Sequence, residues 1–258
     1  MKHCVLLLIL SAFCLACSDS ETTIDDKVIL NGLVHTGQPV QDIRVSLLSE
    51  INQPNRYIDP SEVLVVAFWR DEAYLLTEFP DEPGRYFDPL SEVIPEPGDL
   101  VSCVIFYESD TVISGSIAPE FPRGLNMPFQ TIPLNAEDLN SGVQIPVLWE
   151  NPEAAFYTGK VVLVSDSLGP INPFEFNEDD ALFPLPITTD EAYLIDIDRF
   201  SFYGTYALIL YRVNEDYVQF SRAEGGEVQF QQNSNVANGA GLFSVLSSDT
   251  IFFELIPG

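Results

Sequence analysis

Short runs rich in β-branched and aromatic residues, each stopped by proline or glycine, recur from Val28 to the end of the chain. VILNGLVH (28–35), IRVSLLS (43–49), VLVVAFW (63–69), AYLLTEF (73–79), LVSCVIFY (100–107) and TVISGSI (111–117) are of strand length. The turn signals Gly37-Gln38-Pro39, Asn55 to Pro60, Asp81 to Gly84 and Glu96 to Asp99 stand between them. No long helix fits such spacing, and antiparallel sandwiches do. The reading is all-β: two antiparallel β-sandwich-like domains in series with short helical turns. Residues 28–118 form the first domain. Residues 119–146, Pro-rich and irregular, form a connector, with one helical turn from an Asn135 N-cap to a Gly142 stop.

Residues 147–258 form the second domain, entered through VQIPVLWENP (143–152), with FYTGKVVLVS (156–165) as its next strand. Residues 166–190, holding four prolines, read as one long loop. AYLIDIDRF (192–200) alternates and suits an edge strand better than a helix capped by Thr188 and Glu191. TYALILYRV (205–213) is apolar on both faces and predicts a central strand covered on both sides. Val213, Tyr217 and Phe220 fall at i, i+4, i+7, the spacing of a short helix. EVQFQQ (227–232) and GLFSVLSSDTIFFELI (241–256) close the domain as strands, with Asn238-Gly239 supplying the turn.

Val5 to Ala16 is apolar and uncharged, with Lys2 before it. A bilayer span needs roughly 20 such residues, so this run is too short. It has the form of a secretory signal peptide, residues 1–16. Cys14-Leu15-Ala16-Cys17 resembles a bacterial lipobox, with Cys14 and Leu15 where a lipobox usually has Leu and a small residue. The resemblance implies cleavage before Cys17 and acylation of its thiol. An ordinary cut near Ala16 with Cys17 unmodified, or an uncleaved segment, are the alternatives. Residues 17–27 then form a lipidated acidic tether, too poor in apolar residues to order itself.

Acidic residues number 39 against 11 Lys and Arg, giving a formal charge of −28. That balance argues against nucleic acid, which is bound by neutralising phosphates with Lys and Arg. It argues equally against a peripheral grip on anionic lipid. An apolar fraction of 46% separates the chain from disordered polyanions. Of four cysteines, Cys4 and Cys14 leave with the signal peptide and Cys17 is acylated, so Cys103 has no partner for a disulfide. Val101, Cys103, Ile105 and Tyr107 share one strand face, which predicts a buried thiol.

No constellation for catalysis stands out. His35, the one histidine beyond the signal peptide, lies beside a Gly-Gln-Pro turn and reads as solvated. Zinc sites draw on several His or Cys, and Gly239-Ala240-Gly241 precedes a strand, not the helix a phosphate loop needs. A glycosidase needs two spaced carboxylates, and no pair can be picked out. Asn177-Glu178-Asp179-Asp180 and Asp196/Asp198 are candidate calcium ligands without EF-hand spacing, and read more simply as solvated charge. Phe174, Phe176 and Phe183 form either a contact surface or self-packing of the long loop. Trp69 and Trp149 read as core or junction residues, not sugar platforms.

Several short motifs, taken in order, resemble Bacteroidota-type outer-membrane lipoproteins that share a domain of unknown function. These are Cys17 to Glu21, VILNGLV, His35 to Pro39, Pro83 to Tyr86, Pro97-Gly98, Ile117 to Pro119, Trp149 to Pro152 and Asn235 to Phe243. The resemblance implies an outer-membrane, lipid-anchored β protein with no catalytic residues and no cofactor. The acidic stretch after Cys17 resembles the surface-export signals of such lipoproteins. The expected function is a binding or accessory module for a partner protein or transporter in that membrane. A glycan-binding or glycan-cleaving surface protein is the alternative, and a structural surface-layer component the third.

Overall fold

The computed structural model describes residues 27–48, 56–165, 169–173, 181–222 and 233–258. Cys17, the signal peptide, Phe174, Phe176, Asn177 to Asp180 and EVQFQQ therefore lie outside the described residues.

The strand-length runs fold as strands because each puts an apolar face inward at every second residue. In the first half these are β1 (Val28–His35), β2 (Ile43–Leu47), β3 (Val63–Trp69), β4 (Glu72–Leu75), β5 (Thr77–Glu78), β6 (Arg85–Phe87), β7 (Leu100–Tyr107) and β8 (Asp110–Ile117). In the second they are β9 (Arg123–Asn126), β10 (Thr131–Leu134), β11 (Gln144–Glu150), β12 (Phe156–Leu163), β13 (Leu182–Thr188), β14 (Ala192–Asp196), β15 (Gly204–Val213) and β16 (Ala240–Pro257). One eight-residue helix, α1 (Glu215–Arg222), follows β15.

Among the described residues three sheets result, and the protein is all-β. A 9-stranded sheet runs β13-β12-β15-β16-β1-β2-β6-β5, with β10 also paired to β16. A 4-stranded sheet, β4-β3-β7-β8, covers one half of it, and a 3-stranded sheet, β14-β11-β9, covers the other. The first core lies between Val65, Ala67, Cys103 and Ile105 on one side and Leu30, Val45, Phe243 and Val245 on the other. The second packs Val147, Trp149 and Tyr193 against Tyr157, Tyr206, Leu208 and Phe253. Burying one such side chain contributes about 1.5–3 kcal/mol.

Strand β16 joins the two halves. Its 18 residues pair in parallel with β1 from Ala240 to Leu246, then antiparallel with β15 from Ser247 to Leu255. The sequence division gives residues 147–258 to the second domain. In the structure, Val236, Phe243 and Val245 complete the first core. The parallel pairings β1–β16 and β10–β16 also depart from the all-antiparallel expectation.

The long loop expected over residues 166–190 is in part a strand. β13 pairs with β12 in spite of Pro184 and Pro186. β13 is an edge strand, where a proline's missing N–H costs no ladder bond. Both prolines sit on its exposed face, while Phe183 and Leu185 point into the second core. The carbonyls of Pro184 and Pro186 accept from Arg199 Nη2 and the Tyr193 hydroxyl.

AYLIDIDRF is the edge strand β14 followed by a 3₁₀ turn, Ile197–Arg199. β15 is central, between β12 and β16, with one face fully covered and the other covered in part. Tyr206, Leu208 and Leu210 are fully buried; on the other face Ala207 and Val213 are buried, Ile209 and Tyr211 are half-buried, and Val213 and Tyr211 pack with Val218 of α1. The helical turn in the connector is 3₁₀, Asp138–Asn140, and Asn135 does not cap it. Instead the Asp138 carboxylate accepts the Asn135 N–H at 2.7 Å.

Candidate docking face

Strand β3, VLVVAFW, is apolar at every position, so both of its faces are apolar. Its inner face, Val63, Val65 and Ala67, joins the first core. Among the described residues no layer lies over its outer face, Leu64, Val66 and Phe68.

The strand pairing extends that face sideways. Leu64 lies opposite Phe106 of β7. Val66 lies between Leu75 of β4 and Val104 of β7, and Val104 lies opposite Ile113 of β8. Phe68 lies between Ala73 and Ser102, and Leu100 opposite Ile117 closes the end. No charged side chain interrupts these rows. Leu75, Leu100 and Ile117 are 57%, 59% and 59% exposed. Taken together the exposed apolar area is on the order of 600 Å², the upper end of what the largest patch on a typical monomer shows.

A corner of polar groups braces one end. β3 and β4 are joined by the two-residue turn Arg70-Asp71, with φ of 52° and 64°. A turn with both central residues in this region matches the twist of the strands, and usually carries Asn-Gly. Here side-chain bonds offset the strain. Arg70 donates to Glu96 and to Asp99 Oδ2, and its guanidinium lies 4.4 Å from the Trp69 ring centre. Asp99 Oδ2 also accepts the Trp69 indole N–H at 2.8 Å and the Glu96 amide at 2.9 Å. A cleft of about 390 Å³ opens here, lined by Phe68, Trp69, Arg70, Asp99 and Leu100 among others.

Burial acts against the Asp99 carboxylate, but the Glu96 amide, the Trp69 indole and Arg70 outweigh it and hold its pKa below the ordinary value. A carboxyl lowered on folding stabilises the fold above its unfolded pKa of about 3.9, and that contribution is lost as pH falls through the lower folded value. Trp69 emission in an acid titration is therefore expected to shift with a midpoint below about 3.9. Asp99→Asn should remove that transition while leaving the fluorescence of buried Trp149 in place.

The other sequence candidates are dispersed. His35 is not the solvated turn residue expected: it ends β1, half-buried, with its ring 6.0 Å from Tyr211 and Nδ1 enclosed without a hydrogen-bond partner among the described residues. Burial lowers its pKa, Lys160 adds to this and Asp42 opposes it. The cause is the length of β1, which carries His35 into the pairing with Leu246. Cys103 is 1% exposed, and burial pushes its thiol up to about 12, an inert state.

Trp149 is buried between Tyr157 and Tyr193. Trp69, held by Asp99 and Arg70, presents no free ring face on the Arg70 side. Asp196 accepts from Gln144 Nε2 at 2.7 Å, and Asp198 is solvent-facing. Among the described residues no group of three or more His, Cys, Asp or Glu is placed to hold a metal ion. Phe183 belongs to the second core, edge-on to Phe200.

The Gly-rich segment near the C-terminus secures the edge of β8. Ala237 bridges Ile113, Asn238 Nδ2 donates to the Thr111 carbonyl, and the Asn235 side chain brackets the Phe243 backbone. The sequence reading missed the outer face of β3, β7 and β8. The apolar run of β3 does not by itself show which of its faces is covered.

No family model matches the chain, and no curated protein does. Solved structures do match at low similarity. The chicken CNTN1 FN1-FN3 domains share 13% identity at a TM-score of 0.30, over 89% of this chain and 66% of that one. A structure of a bacterial ice-binding adhesin, concerned with host cell surface retention, shares 8% identity at a TM-score of 0.26, over 90% and 66%. A segment of titin shares 8% identity at a TM-score of 0.24, over 89% and 66%. The chain thus spans just under two thirds of each solved chain.

Proposed function

We propose that the chain is a lipid-anchored outer-membrane β protein that holds a partner protein or a transporter and is not an enzyme. The observation that carries this reading is the uncharged, open outer face of β4-β3-β7-β8 on a chain of formal charge −28. Carboxylates are abundant elsewhere, so chance alone would put some of them on these rows. With its rim, the face approaches the roughly 800 Å² per partner of a standard protein interface. The anchor half of the reading rests on Cys17 and the apolar run before it. No helix among the described residues is long and apolar enough to cross a membrane.

Two substitutions separate the halves of the proposal. Cys17→Ala is expected to move the protein from the membrane to the soluble fraction and to abolish acyl labelling. Unchanged fractionation would remove the anchor. Ile113→Glu places a charge beside Val104, midway along the edge strand β8, at an exposed position. A pull-down from detergent-solubilised membranes is expected to recover a specific partner with the parent chain and to lose it with Ile113→Glu. Equal recovery with both would remove this face as the binding site.

A further inference from the structure

We infer that the occupant of the open sheet face is a protein surface with an apolar centre ringed by Lys and Arg, an inference that rests on the partner-holding reading above. The apolar rows end in acid on both sides. Glu62 immediately precedes β3, beside Leu64, and Glu108 stands in the turn that follows β7, two residues beyond Phe106. Both are exposed. At the opposite end stand Asp71, Glu72 and Glu96. Arg70 is the cation at that end, and its guanidinium is already committed to Glu96 and Asp99.

This rim decides between occupants. A second copy would bring the same carboxylates against these, and like charges juxtaposed across an interface are repelled. An anionic bilayer surface meets the same repulsion. A partner with Lys and Arg around an apolar patch buries the face and neutralises the rim together. At physiological salt the screening length is about 8 Å, so charges at an interface rim still act across it. A net charge of −28 also raises the encounter rate with a basic partner.

The test uses the full chain in its own cells, with p-benzoylphenylalanine in place of the exposed Phe106 and, as background, of the exposed Phe252 on the other half of the molecule. Isolated membranes are irradiated, and adducts specific to position 106 are sequenced by mass spectrometry. The expected adduct joins a protein through a peptide that carries Lys or Arg beside apolar residues. The pair Glu62→Lys and Glu108→Lys is expected to cut its yield about tenfold. If that pair lowers the melting temperature of the chain, Glu62→Lys alone replaces it.

A protein adduct through a peptide without basic residues, or a yield unaffected by charge reversal, overturns the inference and leaves the partner-holding reading standing. Adducts only to lipid or to a second copy, or no adduct above background, overturn both.

Discussion

Gly241→Ala is expected to lower the stability of the protein by about 2–5 kcal/mol, the sum for a side chain in a left-handed backbone region and for overpacking against rigid backbone. For a chain of this size that is a fall of roughly 10 °C in melting temperature. Gly241 sits at φ 110° in β16, opposite Leu30 of β1. A Cβ placed there would overlap the Leu30 carbonyl oxygen and lie 2.9 Å from its carbonyl carbon. Neither is the end of a flexible side chain, so relief requires β1 and β16 to separate. The parallel pairing from Ile29 to His35 depends on their close approach.

Gly98→Ala is the control. Gly98 has φ 89° but nothing within 4 Å of its Cβ position, so only the backbone term of about 1 kcal/mol applies. Thermal melts of the two variants separate the terms. Equal shifts would show that the contact with Leu30 contributes nothing.

Local features carried most of the fold. Period-2 alternation and turn chemistry are local, and they located β1, β2, β3, β7, β8 and β12 close to their observed bounds. The misses share one cause: they depend on what lies beside a strand and not on the strand itself. β13 was missed because Pro184 and Pro186 are strand breakers anywhere but at an edge, and edge position is a tertiary fact. The first half of β16 was assigned to the wrong neighbours because a parallel partner more than 200 residues away in sequence leaves no hairpin signal.

The docking face was illegible for a related reason. An apolar residue at every position of VLVVAFW fits a strand covered on both sides as well as one covered on a single side. What distinguishes the two is the absence, among the described residues, of a layer over Leu64 and Phe68. By contrast, Cys103 was legible because the alternation of Val101, Cys103 and Ile105 already assigned it to the inner face.

Residues 28–118, the natural first domain by sequence, are expected not to fold alone. That piece lacks Val236, Phe243 and Val245, which are buried in its own core. At about 1.5–3 kcal/mol for each buried side chain, the loss is on the order of 6 kcal/mol, comparable with the whole stability of a typical domain, about 5–15 kcal/mol. Strand β1 also loses the partner that pairs with it from Ala240 to Leu246, and Thr36 loses the Leu246 carbonyl that accepts its N–H at 2.8 Å. On β8, the Ser116 hydroxyl loses the Val245 N–H it accepts at 2.9 Å and the Asn214 amide it accepts at 2.9 Å. The expected result is a piece without a cooperative melt and with strong binding of a hydrophobic dye. Joining residues 233–248 to it through a flexible Gly/Ser linker restores the three core side chains and the β1 partner, and is expected to restore a sharp transition. A sharp transition in residues 28–118 alone would show that β16 is dispensable to the first core.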